Sequence, residues 1–205
     1  MTEPNRAPTP AEGPSPGAAN LSGPPWCIRF PTSREIGDLV SPFREGVARF
    51  VEALRANGAT VSIAATLRPK ERAFLMHWSW RIARKTEFPT ADPFSLGIIW
   101  DHGDEQRSVA AARAMVERFG IAPSLKVPPA LTSRHVEGKA IDMTITRLPP
   151  VLVFEHQGET VRVEIPGPPN GADNQELHRA AKKFFAVVKA NPGIKDPPHW
   201  STDGR

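Results

Sequence analysis

Residues 131–143 read LTSRHVEGKAIDM, and this stretch decides how the rest of the chain is interpreted. The overlapping segment KAIDMTIT (139–146) is rich in apolar and β-branched residues, which predicts a strand whose side chains alternate between two faces. The apolar side chains are then expected to face a core, whereas Asp142 points to the open side. Gly138 permits a turn just before the strand. We therefore expect His135 to fold back towards Asp142.

A histidine and an aspartate on one face make half of a tetrahedral zinc site. The segment KDPPHWS (195–201) supplies a third candidate ligand, His199, next to two prolines that restrict the backbone. Three protein ligands leave one zinc position for water, as catalytic zinc requires. Asp196 is then a candidate general base for that water. A lone histidine or aspartate in a loop is more often a cap or a surface hydrogen-bonding group than a ligand, so the prediction depends on both stretches together.

The bulk composition narrows the class of protein. The chain has 205 residues, of which 40% are hydrophobic and 23% are charged, as in an ordinary globular domain. No apolar run reaches the about 18 residues that a membrane helix needs, so no membrane span is expected. The lone Cys27 excludes an intramolecular disulfide and a cysteine-rich zinc finger. The net charge of +4 is mild, and we expect no nucleic-acid partner. The oligomeric state is left open.

Residues 1–25 are rich in proline, glycine and alanine and contain few large apolar residues. Such a segment buries too little surface to offset its ordering entropy, which predicts a disordered tail followed by a single domain over 26–205. The tail has no basic start followed by an apolar run, so no Sec signal peptide is recognised. We expect either a cytoplasmic protein or one exported by a dedicated route, such as an effector or a phage lysin.

Helix and strand patterns alternate irregularly along the remaining chain, without a repeat. Three helices are predicted from Pro42 to the residue before Gly58, over 70–85, and from about Glu105 to Phe119 with Asp104 as cap. A fourth helix is predicted to begin after Asn174 and to stop at 191–193. Its inward-facing residues are expected to be Leu177, Ala181, Phe184 and Val188. Strands are predicted over 59–67 and 139–146, and as a hairpin over 151–165. The fold class is therefore α+β, with a small antiparallel sheet packed with helices.

The residues Ser133, His135, Gly138, Ala140 and Asp142 match the pattern SxHxxGxAxD. In this the chain resembles the zinc D-alanyl-D-alanine carboxypeptidases, a family that includes the D-Ala-D-Ala dipeptidases of vancomycin resistance and the L-alanyl-D-glutamate endolysins of phages. The similarity extends over about two thirds of the chain but is concentrated in three short motifs. It implies the fold that this family shares with the Hedgehog signalling domain.

The resemblance also implies roles for individual residues. The family's last zinc ligand is a histidine preceded at minus three by an acidic residue, which matches His199 and Asp196. His135, Asp142 and His199 are then the implied zinc ligands and Asp196 the implied base. Many members have glutamate at the base position, and aspartate there is more similar to the endolysin branch.

A second motif, Thr66-Leu67-Arg68, resembles the family's T-x-R element. Its arginine is implied to contact the substrate and to stabilise the developing oxyanion, tasks suited to a side chain that keeps its charge. Thr66, Ser133 and Trp200 are the further candidates for substrate contact. Arg68 alternatively only caps the end of a strand.

The function that follows is zinc-dependent hydrolysis of a peptide bond in the stem peptide of peptidoglycan, by a D,D-carboxypeptidase or an L-alanyl-D-glutamate-type endopeptidase. The alternative is a non-catalytic, zinc-stabilised module that binds cell wall or a protein. Residues 70–104 are unlike compact members of the family and are interpreted as a lid or a partner-binding insertion.

Overall fold

A computed structural model describes residues 20–167, 170–190 and 198–205. Contacts divide the chain into two compact units. The first unit contains the described residues up to Ile28 together with Trp78–Pro128, and the second contains Arg29–His77 and Pro129–Arg205. This division does not decide whether the units fold together, so a single domain over 26–205 stays a prediction.

The described chain contains α-helices α1 to α4 and β-strands β1 to β6. The helices are α1 (Phe43–Ala56), α2 (Lys70–Lys85), α3 (Glu105–Arg118) and α4 (Gln175–Ala180). The strands are β1 (Thr60–Ala65), β2 (Ala140–Thr146), β3 (Val151–His156), β4 (Glu159–Glu164), β5 (Val188–Lys189) and β6 (His199–Ser201). No helix of the described residues is long and apolar enough to span a membrane.

All six strands belong to the second unit and pair in antiparallel fashion. One sheet has the order β1-β2-β6-β5, and the other is the β3-β4 hairpin. The predicted class, α+β with small antiparallel sheets, is therefore confirmed. The pairing that matters most for the site is β2 with β6, which are far apart in sequence.

The core of the second unit lies between α1 and the four-stranded sheet. Helix α1 carries its apolar residues on one face, as the spacing of an amphipathic helix requires. From β2, the alternating residues Ile141, Met143 and Ile145 are completely or almost completely buried in the same cluster, as predicted. The other side of β2 is thereby left to Asp142 and Thr144.

The first unit is organised around α3 and the segment that begins at Asn20. The side chain of Asp104 caps α3 by accepting a hydrogen bond from Arg107 N, as predicted. The Cys27 thiol is buried and lies 3.8 Å from Met115 O of α3. A short 3₁₀-helix, Pro24–Ile28, therefore packs on α3 in this unit.

Composition predicts that residues 20–25 belong to the tail, and the other tail residues, 1–19, lie outside the described chain. Ser22 N donates to Ile99 O, and Ile99 N donates to Asn20 O, both at 2.8 Å. Trp26 Nε1 donates to Leu21 O at 3.0 Å. The packed chain thus begins before Trp26. Composition missed these residues because main-chain hydrogen bonds, not large apolar side chains, hold them.

The last predicted helix is shorter than its pattern indicates. Asn174 caps α4 through its side chain, as predicted, but α4 ends at Ala180 and continues as a π-helical turn, Ala181–Phe185. Ala186 adopts the left-handed conformation with φ of 56°, which ends the helix. Val188, predicted to face inward from a helix, lies in β5 instead. The predicted stop at 191–193 lies outside the described residues.

Candidate metal centre

Three side chains converge where β2, β6 and the turn before β2 meet. Asp142 of β2 and His199 of β6 are directly opposite each other in the antiparallel register. His135 comes from the turn, which is closed by a hydrogen bond from Gly138 N to His135 O at 3.2 Å. Gly138 has a φ of 67°, a left-handed value that favours glycine. The register and the turn together bring the three predicted ligands to one place.

The facing atoms of these side chains form a nearly equilateral triangle. His135 Nε2 lies 3.0 Å from Asp142 Oδ1 and 3.2 Å from His199 Nδ1. His199 Nδ1 lies 3.1 Å from the same carboxylate oxygen. A tetrahedral zinc with bonds of about 2.0–2.2 Å holds its ligand atoms about 3.3–3.5 Å apart. The observed triangle is only slightly smaller than the one that zinc requires.

The far sides of the two rings determine which nitrogen is available to a metal. His135 Nδ1 lies 2.7 Å from Thr66 O, and His199 Nε2 lies 3.0 Å from the main-chain oxygen of Arg205. These oxygens only accept hydrogen bonds, so the ring proton is assigned to the outward nitrogen in each case. In the neutral rings, two nitrogen lone pairs then face a carboxylate oxygen. Such an arrangement is repulsive without a cation, and the residues therefore fit a divalent metal.

The pKa of Asp142 is lowered from its ordinary value, so the group is ionised near neutral pH. Burial acts to raise this pKa, but the hydrogen bonds and charge interactions that His135 and His199 supply when their rings are protonated outweigh it. The side chain of Asp142 is 19% exposed, and those of the two histidines are 7% and 8% exposed. An anionic ligand is thus held in a largely dehydrated place, where it interacts strongly with a cation.

The three candidate ligands line a cavity of about 530 Å³. The remaining residues that line this cavity are polar or charged: Arg68, Thr132, Ser133, Arg134, Glu137 and Arg205. Ser133 also accepts a hydrogen bond from Val136 N at 3.3 Å and so closes the ligand turn. Among the described residues, three candidate ligands are grouped at this place, and all three line the cavity.

The T-x-R segment contacts the candidate ligand His135 at two points, its ring and its main-chain oxygen. Thr66 O contacts the His135 ring at 2.7 Å, and Arg68 N donates to His135 O at 3.0 Å. Thr66 is itself held by a hydrogen bond from its main-chain nitrogen to Ser33 O at 2.8 Å. Arg68 reaches the cavity, whereas Thr66 is completely buried. Thr66 therefore orients a ligand, and its side chain has no surface for substrate contact.

The other predicted substrate residue, Trp200, lies on the core side of β6. Its side chain is completely buried, and its ring centroid lies 5.5 Å from that of Phe50. Successive side chains of a strand point to opposite faces, so Trp200 must face the core when His199 faces the site. Asp196, the predicted base, lies outside the described residues.

A charged cluster beside the ligands was not predicted from the sequence. Asp203 is contacted by Arg134 and Arg205, and Arg134 also pairs with Glu137 at 2.7 Å. The signal available in the sequence was weak, since it consists only of charged residues close to two predicted ligands. The cluster becomes recognisable only when β6 brings Asp203 next to the His135 turn.

Comparisons with known proteins give one distant likeness. No protein-family model matches the chain, and no curated protein matches it. Among solved structures, the chain is similar to a zinc-bound mutant of the vancomycin resistance D,D-pentapeptidase VanY from a VanB-type cassette. The sequences are 14% identical, the match covers 86% of this chain and 82% of that chain, and the TM-score is 0.31. At this identity and TM-score the likeness does not establish a common family.

Proposed function

We propose that the chain is a zinc-dependent hydrolase that cuts a peptide bond in the stem peptide of peptidoglycan. The observation that carries the proposal is the triangle of His135 Nε2, Asp142 Oδ1 and His199 Nδ1, with Arg68 on the wall of the same cavity. The substrate class rests on the resemblance of residues 133–142 to the peptidase pattern. The Hedgehog-like fold belongs to the same proposal.

The number of ligands favours a catalytic centre over a structural one. Structural zinc sites use four protein ligands, whereas catalytic sites use three and keep one position open. Three candidate ligands are found among the described residues, and they line a cavity large enough for part of a peptide. Zinc bound there would polarise a carbonyl group and lower the pKa of water to about 7.

The chain's own residues then have separate tasks. Arg68 presents a permanent positive charge to the cavity, where it would orient the scissile carbonyl and stabilise the negative charge that develops on its oxygen. Asp196 would take a proton from the attacking water and deliver it to the leaving amine. Thr66 O keeps the His135 ring in the orientation that its role as a ligand requires.

The test is incubation of the purified, metal-analysed protein with muropeptides, followed by mass spectrometry of the products. Asp196→Asn should keep zinc and the fold while lowering the rate by about a hundredfold or more, as expected for loss of a positioned proton acceptor. Release of terminal D-alanine alone would identify a carboxypeptidase. Cleavage between internal residues of the stem peptide would identify an endopeptidase.

Two outcomes would contradict the mechanism. Full activity of Asp196→Asn would remove the proposed base. Purification with iron would also be informative, because two histidines and one carboxylate with open positions are a common iron(II) ligand set. Hydrolysis that depends on iron and not on zinc would overturn the zinc assignment.

The second candidate function is a zinc-stabilised binding module for cell wall or a protein. It uses the same ligand triangle as the hydrolase but needs no proton acceptor at Asp196. A wild-type protein that binds zinc and muropeptides but releases no product would support this function and exclude the hydrolase.

A further inference from the structure

We propose that Asp203 is a positioning residue for the candidate ligand His199. The inference rests on the proposed metal site and adds a residue that the peptidase pattern does not contain. Asp203 holds the main chain of Arg205 where its oxygen accepts the proton of His199 Nε2. In this way a short turn after β6 decides which nitrogen of His199 faces the metal.

The first step is the requirement of His199 for an acceptor. Its Nδ1 belongs to the ligand triangle, so Nε2 must carry the proton when Nδ1 offers a lone pair. Nε2 lies 3.0 Å from the main-chain oxygen of Arg205. If this oxygen moved away, the two tautomers of the ring would become closer in free energy, and the ring would lose its fixed orientation.

The second step is the attachment of Arg205 to Asp203. Asp203 Oδ1 accepts a hydrogen bond from Arg205 N at 3.2 Å, and Oδ2 accepts one from Arg205 Nε at 2.9 Å. The backbone is therefore held at the same residue whose oxygen contacts His199. Gly204 N donates to Ser201 Oγ at 2.8 Å, which fastens the turn back to the end of β6.

The third step is the attachment of Asp203 to the ligand turn. Arg134 Nε donates to Asp203 Oδ1 at 3.1 Å, and Arg134 Nη2 contacts Oδ2. Arg134 directly precedes His135 in the chain. The fork of an arginine on a carboxylate is geometrically specific. Asp203 thus joins the turn that carries His135 to the turn that orients His199.

The contact between Arg134 and Asp203 is less exposed than an ordinary surface ion pair. The side chains of Arg134 and Asp203 are 20% and 33% exposed, whereas those of Arg162 and Glu164 in the β4 ion pair are 64% and 68% exposed. Exposed pairs contribute little to stability. Glu164 therefore provides a control, because it is an ion-paired carboxylate of the same unit and lies on β4.

The experiment compares wild type, Asp203→Ala, Asp203→Asn and Glu164→Ala. In the zinc-loaded proteins, long-range ¹H–¹⁵N NMR shows which nitrogen of each histidine ring carries the proton, and the His199 signals are assigned by their loss in His199→Ala. We expect the Nε2-protonated tautomer in wild type and in Glu164→Ala, and a mixture in Asp203→Ala. Asp203→Asn, which keeps one acceptor oxygen, should retain the wild-type tautomer.

Zinc affinity is the second readout, measured by competition with a chromophoric chelator. Asp203→Ala should bind zinc about 10–100-fold more weakly, the usual effect of removing a group that orients a ligand. Asp203→Asn should lie between Asp203→Ala and wild type, and Glu164→Ala should bind like wild type.

An unchanged His199 tautomer together with unchanged zinc affinity in Asp203→Ala would overturn the inference, even if the variant melted at a lower temperature. That result would leave the proposed function intact if the wild type still bound zinc and cut muropeptides. Absence of zinc binding in the wild type would instead overturn the proposed function and, with it, the inference that rests on the metal site.

Discussion

At the scale of single residues, the candidate ligands are distinguished by contacts on both sides of their rings. His135 and His199 each place one nitrogen in the ligand triangle and the other against a main-chain oxygen. His156, in contrast, lies in the β3-β4 hairpin with its ring centroid 5.3 Å from that of Phe184. The chemistry of a histidine is thus decided by its surroundings.

The first prediction concerns metal content. His135→Ala and His199→Ala should each purify without stoichiometric zinc, because each removes one of three ligands from a site that has no replacement among the described residues. The measurement is the number of zinc ions per chain, determined by elemental mass spectrometry. His156→Ala is the matched control and should retain the zinc of the wild type.

This prediction has a clear contrary result. Stoichiometric zinc in both ligand variants would mean that the metal is held elsewhere in the chain. The structural assignment of the triangle would then be wrong, whatever the activity of the wild type.

At the scale of elements, α1 approaches the main chain of the π-helical turn closely at Gly46. Gly46 of α1 is buried, and a Cβ added there would overlap the main-chain oxygen of Phe185. Phe185 lies in the turn that precedes β5, and β5 pairs with β6, the strand of His199. A larger side chain at Gly46 is therefore expected to affect the candidate metal site only indirectly, through the packing of the π-helical turn and of the strands that follow it.

The second prediction is that Gly46→Ala destabilises the protein by about 1–3 kcal/mol or more, the usual effect of overpacking against rigid backbone. The measurement is the free energy of unfolding from denaturant titration. Gly37→Ala is the control, because a Cβ at Gly37 meets no atom within 4 Å. A Gly46→Ala variant as stable as Gly37→Ala would show that α1 does not pack on the turn as described.

At the scale of the whole molecule, the start of the packed chain is open to a direct test. A chain that begins at Trp26 loses the main-chain hydrogen bonds to Ile99 and the hydrogen bond from Trp26 Nε1 to Leu21 O. Each intramolecular hydrogen bond contributes about 0.5–1.5 kcal/mol to stability. The third prediction is that this chain unfolds at a clearly lower temperature than a chain beginning at Asn20.

The control is the full-length chain, whose composition over its first residues predicts little contribution to the core. It should melt within a few degrees of the chain that begins at Asn20. Equal melting temperatures for all three chains would show that residues 20–25 do not stabilise the first unit.

Local patterns predicted those elements whose stability depends mainly on their own residues. Helix α2 has the predicted bounds, 70–85, and α3 begins after its predicted cap, Asp104. The β3-β4 hairpin also lies where alternation and the polar turn placed it. Short-range periodicity and caps carry enough information for such elements because their hydrogen bonds are local.

The misplaced elements share a dependence on distant partners. Val188 continues the helical spacing of α4, yet it lies in β5, which exists only because β6 pairs with it. Asn20 and Ser22 form main-chain hydrogen bonds with Ile99, and Asp203 forms an ion pair with Arg134. None of these partners lies within one turn of helix or across a tight turn in the sequence, so no short-range pattern records them.

The sequence by itself determined which residue types are available for a metal and where they lie along the chain. Alternation in β2 placed Asp142 on the side opposite the core, and Gly138 allowed the turn that carries His135. Only the tertiary structure decided that His199 faces Asp142, because that follows from the register of β2 with β6. It also decided that Trp200 belongs to the core. The physical reason is that a strand's partner and register depend on packing between segments that are distant in the chain.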